Sequence, residues 1–172
     1  RYVSIDTHVL GMALRGATGQ SVADYMAEKL WSRIGVEADA YYLTDVYGAA
    51  FVLGGLNIRT RDYARFGRLF LSDGMWEGEQ IISKDWVRES TSDLAPPPAP
   101  TYEEGEQYGF QWWLPAEHDD EFYGIGVYSQ YLWIDRKART IIVKTSGDVN
   151  FLENNSRGQL ETIAMMRAIS RR

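Results

Sequence analysis

Two groups of acidic residues are the first places where side chains of this sequence could do chemistry. Glu103, Glu104 and Glu106 lie close together, and paired carboxylates can divide acid and base work when their surroundings push their pKa values apart. Their place after a proline run favours plain solvation instead. Glu117, His118, Asp119, Asp120 and Glu121 offer oxygen and imidazole donors of the kind metal ions accept. An exposed turn between two strands is the simpler reading. A third stretch, Gly124-Ile125-Gly126, would act through its backbone, since glycines let another chain lie close to a strand. A bulge or a tight strand crossing accounts for those glycines equally well. No G-x-S-x-G, phosphate-binding G-x-x-x-x-G-K-[ST] or H-E-x-x-H pattern occurs. With only His8 and His118, a histidine metal site or a Ser-His-Asp triad is poorly supplied.

The elements that would position these groups change character along the chain. Ile5, Val9, Met12 and Ala13 follow helical spacing, ending near Gly16 and Gly19. Ser21 then caps a second helix, with Val22, Tyr25, Met26, Lys29 and Leu30 along one face and Gly35 as its stop. AAFVLGGL, residues 49–56, reads as a short buried strand or a loop packed on the core. Thr60 is expected to cap an amphipathic helix that turns Tyr63, Phe66, Leu69 and Phe70 inward, with Asp62 in the first turn and Gly74 at the end. A turn and a helix capped by Ser83 follow. Residues 94–107 carry four prolines in five positions and form a surface loop, because proline suits neither a helix interior nor a central strand.

Beyond that loop, YGFQWWLP, EFYGIGV, YSQYLWID and TIIVKTSG read as four short strands. IDRKART is a hairpin connection, so the strands are antiparallel neighbours. The tail is a helix with Leu160, Ile163, Ala164 and Ala168 on its apolar face, and Arg171 and Arg172 at its negative end. The expected class is α+β: residues 1–93 mainly helical, 94–107 a Pro-rich loop, and 108–172 antiparallel strands closed by a helix.

Bulk properties narrow the function. The 172 residues fit one domain, and their 45% hydrophobic content suits a packed core. Six Trp and eleven Tyr fit either that core or an aromatic-walled cleft, the core being the ordinary use. A net charge of −6 argues against nucleic acid, which asks for a basic face. No apolar run reaches the roughly 18 residues of a membrane-spanning helix. Without cysteine, disulfides and thiolate metal sites are excluded. The opening RYVSIDTHVLG has neither an initiator Met nor a leader-like run, so it reads as cut from a longer sequence, and localisation stays unknown.

Three stretches taken in order say more: Tyr2-Val3-Ser4 before a helix, GGLNIRTRDYARFG from Gly54 to Gly67, and FYGIGVYSQYLWID from Phe122 to Asp135. Together they resemble the serine β-lactamase and penicillin-binding-protein superfamily, in its class C and 6-aminohexanoate-dimer hydrolase-like branch. The resemblance runs from Tyr2 through the last helix and implies a partial β-lactamase-like fold. That superfamily uses three motifs. The first, Ser-x-x-Lys, supplies the nucleophile and a lysine that helps deprotonate it; no serine here has Lys at the third following position. The second is Tyr-x-Asn, matched by Tyr2-Val3-Ser4 with Ser4 in the place of Asn. The resemblance gives Tyr2 the role of proton shuttle, which for a phenol of pKa about 10 needs a neighbouring cation. Ser4 would contact substrate, but a hydroxyl lacks an amide's paired donor and acceptor.

The third motif, Lys-Thr-Gly, is matched by Gly124, Ile125 and Gly126. On this resemblance the Val127 N–H points into an oxyanion hole, and Tyr128 and Gln130 line the pocket, pack inward or lie exposed at the strand edge. Gly124 in the place of Lys removes a cation for a substrate carboxylate, which makes penicillin-like substrates less apt. Lys144-Thr145-Ser146-Gly147 has an inserted Ser and lies on the following strand, so it reads as a strand end. The resemblance implies the C-terminal part of a serine hydrolase acting on a small-molecule ester or amide through an acyl-enzyme. It implies no cofactor, and a nucleophile supplied by upstream sequence or a complementary N-terminal chain. The 172 residues alone are then expected to be inactive. The alternatives are a non-catalytic binding protein that kept the fold, or a proteolytic piece with no role of its own.

Overall fold

The computed structural model describes residues 3–93, 105–153 and 155–172. Its centre is an antiparallel five-stranded sheet in sequential order: β5 (Gln107–Tyr108), β6 (Trp113–Leu114), β7 (Glu121–Gly126), β8 (Gln130–Asp135) and β9 (Thr140–Lys144) follow, in chain order, two small hairpins. The hairpins are β1 (Tyr41–Tyr42) with β2 (Leu56–Asn57), and β3 (Met75–Trp76) with β4 (Glu79–Gln80). YGFQWWLP, expected as one strand, folds back on itself as β5 and β6, pairing Gln107 with Leu114 and Tyr108 with Trp113. In that reversal the Gly109 N–H donates to the Trp112 carbonyl at 2.8 Å, and its lack of a side chain lets it lie against Ser90, whose carbonyl oxygen would stand 2.1 Å from a Cβ. The expected hairpin at IDRKART is present, with Asp135 opposite Thr140. The Asp135 carboxylate accepts the Ala138 N–H at 2.7 Å and so folds the turn.

Side chains alternate across β7 and β8 with the period of a strand, and both faces are covered. Phe122, Leu132 and Ile134 point to one side, where they pack with Trp31, Ile34, Leu69, Phe70, Trp76, Val87 and Trp112. Tyr123, Tyr131 and Trp133 point to the other, against Trp113, Ile163 and Met166. Five of the six tryptophans are thus buried, so the tryptophans go mainly into the core, whereas among the described tyrosines only Tyr123 and Tyr131 are buried.

The first side is built by α2 (Val22–Lys29), a 3-10 turn at Trp31–Arg33, α3 (Thr60–Leu71) and α4 (Lys84–Ser90). Ser21 and Ser83 cap α2 and α4 as expected, accepting the N–H groups of Asp24 and Trp86. Thr60 does not cap α3; it is the first helical residue, and the preceding Arg59 makes no side-chain cap. Asp62 exceeds its expected dipole role. Fully buried, its carboxylate accepts the Glu37 N–H at 2.9 Å and pairs with Arg65 at 2.6 Å, tying α3 to the chain after α2. Gly67 lets α3 sit close on the sheet, since a Cβ there would lie 3.0 Å from Leu132 and 3.1 Å from Ile141.

Two helix faces differ from expectation. α5 (Asn155–Ser170) buries Gln159, Ile163, Met166 and Ser170, whereas Leu160, Ala164 and Ala168 are exposed. The face is rotated because Gln159 satisfies a buried polar cluster and Arg167 pairs with Glu121. α1 (Ser4–Thr18) has the expected span and a left-handed stop at Gly19. Its apolar residues Ile5, Val9 and Met12 are nevertheless more than half exposed. It approaches the rest of the molecule through Gly11, where a Cβ would lie 2.6 Å from Val52. AAFVLGGL is the loop alternative up to Gly55, closed by a bridge between Thr44 and Ala50, and its last residue, Leu56, opens β2.

Candidate functional site

The candidate residues fall at two places. Tyr2 lies outside the described residues, as do Glu103 and Glu104. Ser4, exposed, opens α1, and Val3 before it is extended; the expected helix therefore begins at Ser4 itself rather than after it. α1 is tied toward the sheet by the Thr7 hydroxyl, 2.9 Å from the Gln111 amide oxygen in the β5–β6 reversal. β6 in turn pairs with β7 through Trp113 and Tyr123.

The second place is the end of β7. Gly124 is opposite Leu132, Ile125 opposite Tyr131 and Gly126 opposite Gln130, the last paired residues of the strand. Val127 follows beyond that pair and is exposed. The faces of the three motif residues differ. Gly124 belongs to the side of α3, where a Cβ would stand 3.6 Å from the Tyr63 hydroxyl and 4.0 Å from Trp112. Ile125 turns its side chain the other way, against the α5-facing cluster. Gly126 is exposed, with the stem of Gln130 against it at 3.2 Å from a would-be Cβ.

Tyr63 faces inward as expected and packs against the core, and its hydroxyl also reaches the position that a longer side chain at residue 124 would occupy. Burial pushes its phenol above the ordinary tyrosine range, which keeps it a neutral hydrogen-bond donor. The signal was available only in combination: a Tyr in the first turn of α3 and a Gly on the facing strand.

The turn after Val127 is strained. Tyr128 and Ser129 both adopt the left-handed region, with φ of 60° and 65°, although neither is Gly or Asn. Such residues cost on the order of 1 kcal/mol or more each. Neighbours from the end of β9 and the chain after it over-determine the turn. The Gln130 amide donates to the Ser146 carbonyl and accepts the Ser146 N–H at 3.1 Å. The Lys144 ammonium donates to the Ser129 carbonyl at 3.0 Å, and the Tyr128 ring meets Phe151 edge-on at 5.3 Å. Gln130 therefore spends its amide inside the protein, and Lys144-Thr145-Ser146-Gly147 is a strand end that clamps its neighbour.

Behind β7 lies a buried polar cluster. Glu106, expected to be solvated, is 2% exposed. It accepts a hydrogen bond from the Tyr123 hydroxyl, and the Gln159 amide donates to that hydroxyl at 2.8 Å and to Glu106 at 3.3 Å. Burial, with the neighbouring Glu106 second, raises the Tyr123 pKa strongly. A small cavity of about 30 Å³ adjoins the cluster, between the β7–β8 turn and α5. At the start of β7, Glu121 is nearly fully buried and pairs with Arg167 and Arg171, each at 2.9 Å. Among the described residues, no group of three His, Asp or Glu could hold a metal ion, and no helix is long and apolar enough to cross a membrane. The run from Glu117 to Glu121 thus divides into a turn and a buried ion-pair anchor.

The chain is similar to known proteins along most of its length. It is 32% identical over 154 residues to the 6-aminohexanoate-dimer hydrolase of Paenarthrobacter ureafaciens, covering 85% of this chain and 38% of that protein. A Bacillus anthracis structure with a provisional 6-aminohexanoate-dimer hydrolase assignment superposes with a TM-score of 0.74 at 32% identity, over 93% of this chain and 43% of that one. The octameric penicillin-binding protein homologue of Pyrococcus abyssi shares the fold, with a TM-score of 0.65 at 16% identity over 91% of this chain and 42% of that one. This chain therefore spans about two fifths of the length of these relatives. The family model for Beta-lactamase matches residues 1–160, and the chain belongs to that family.

Proposed function

We propose that this chain is the C-terminal part of a serine hydrolase that cleaves a small-molecule ester or amide through an acyl-enzyme. The observation that carries the reading is the end of β7, where Gly126 makes the last pair of the ladder and Val127 leaves it, both exposed, beside a left-handed turn. Family membership and a relative named 6-aminohexanoate-dimer hydrolase support the reaction class.

In this reading a serine outside the 172 residues attacks the carbonyl carbon while its proton passes to a lysine and Tyr2. The Val127 N–H and the nucleophile's own N–H hold the oxygen that becomes negative. The C–O or C–N bond then breaks as Tyr2 returns a proton to the departing alcohol or amine. Water, deprotonated by the same pair, releases the acid and restores the serine. The Gly124–Gly126 strand and Ser4 border the substrate, with the Tyr63 phenol beside Gly124. Tyr128 flanks the turn, and Gln130 supports it from within.

A second reading, equally compatible with the lack of Ser-x-x-Lys in these residues, is a binding protein that kept the fold without the chemistry. One experiment separates the two. The full-length protein, treated with a fluorophosphonate probe, should label on a serine outside residues 1–172 and turn over p-nitrophenyl acetate. The 172-residue chain alone should do neither. A full-length protein that neither labels nor turns over ester would favour the binding reading, and sustained turnover by the isolated chain would contradict the division of labour proposed here.

A further inference from the structure

We infer that Gln130 and Lys144 are positioning residues that hold the left-handed turn at Tyr128–Ser129 and thereby aim the Val127 N–H. The inference deepens the proposed function and rests on Val127 as the oxyanion donor. Two consecutive side-chain-bearing residues at positive φ are not held by their own preferences, so what holds them decides where the preceding peptide points.

Gln130 supplies a primary amide, whose paired donor and acceptor match a backbone peptide. It bonds both backbone groups of Ser146, donating to its C=O and accepting its N–H. Its stem also rests on Gly126, so the residue before Val127 is fixed by the same side chain. Lys144 draws in the Ser129 carbonyl at 3.0 Å, and the Tyr131 ring, 5.3 Å from the ammonium, steadies it. Ser129 Oγ stands 3.4 Å from Asp148, at the outer limit of a hydrogen bond. The turn is therefore gripped at its second left-handed residue and at the residue after it. Val127, one residue upstream, keeps its peptide direction only while both grips persist. Neither side chain is required to touch substrate, so the effect belongs in kcat rather than KM.

The test uses the full-length protein with p-nitrophenyl acetate as substrate, and hydrogen–deuterium exchange of the segment 126–131 as a second readout. Val127→Pro removes the N–H itself; it suits the site because Gly126 before it is extended, with φ −121° and ψ 167°. Its kcat should fall roughly 10²- to 10³-fold, as for loss of one oxyanion donor. Gln130→Glu and Lys144→Met should each lower kcat about ten- to a hundredfold with KM unchanged and faster exchange confined to 126–131. Lys144→Arg, which keeps a donor, should restore most of the rate.

Full kcat in both Gln130→Glu and Lys144→Met beside an impaired Val127→Pro would overturn the positioning inference and leave the function intact. Full kcat in Val127→Pro would defeat the oxyanion assignment beneath both. Should Gln130→Glu fail to fold, Lys144→Met, a partly exposed position, decides alone.

Discussion

α1 and α5 carry apolar residues in similar numbers, yet one is half exposed and the other is riveted to the sheet. On α1, Ile5, Val9, Leu10 and Met12 remain open; contact is made through Gly11 against Val52 and through Thr7 with Gln111. On α5, Ile163 and Met166 enter a cluster with Trp113, Tyr123, Tyr131 and Trp133, and polar residues lock the helix at both ends. Gln159 bonds Tyr123 and Glu106, while Arg167 bonds Glu121 and the Ala116 carbonyl. Helical spacing alone does not bury a face; a facing surface and satisfied polar partners do.

The largest effect expected from this contrast is at Trp133, fully buried between β8 and α5. Trp133→Ala should cost about 3–5 kcal/mol in denaturant unfolding of the full-length protein. A cost below about 1 kcal/mol would show that the α5 side of the sheet is not the packed core described here. A matched pair on α1 and α5 sharpens the same comparison. Met166→Ala should cost about 2–5 kcal/mol, and Met12→Ala should cost far less wherever Met12 is as exposed as in this chain.

Next comes the polar lock. Tyr123→Phe removes the hydroxyl that links Glu106 to Gln159, so buried polar atoms lose a partner, at about 1–3 kcal/mol. An unchanged unfolding midpoint would mean that the cluster adds nothing to holding β7 on α5.

The smallest effect is an acid-side one. The Asp73 carboxyl is held below the usual range by its hydrogen bond to Lys84 and by the charge of Arg136. A depressed folded pKa contributes stability above the unfolded value, near 4, and the contribution is lost as pH falls through the folded pKa. Asp73 is partly exposed, so water screens the pair and the gain is under about 1 kcal/mol. Asp73→Asn should lower stability slightly at pH 7 and narrow its gap to the parent below pH 4. A gap that widens on acidification would reverse the assignment.

The fold was legible where its causes are local. Ser21 and Ser83 announce helix starts because a cap acts within three residues, and the hairpin from Asp135 to Thr140 follows from one turn-forming carboxylate. The order of helices and antiparallel strands, and the family they resemble, could be read from motifs in succession. Features depending on distant partners could not be read. Glu106 looked solvated because its partners Tyr123 and Gln159 lie 17 and 53 residues away. The α5 face was misjudged because two of its buried residues, Gln159 and Ser170, are polar.

At the site, the sequence located β7 and its glycines but gave no sign of the left-handed turn, which lacks the Gly or Asn that usually mark one. Lys144 and Ser146 looked inert for the same reason: their partners sit across the sheet rather than alongside in sequence. Tyr63 faces inward as its spacing predicts, but helix periodicity reports a direction and not how far a side chain reaches, so its hydroxyl beside Gly124 was not legible.

The most direct test of Val127 as an oxyanion donor is a crystal structure of the full-length protein after reaction with a p-nitrophenyl phosphonate. The proposed geometry predicts the phosphonyl oxygen about 2.7–3.1 Å from the Val127 nitrogen, with Tyr128 and Ser129 still left-handed. A phosphonyl oxygen bound by other donors, with Val127 turned away, would contradict it.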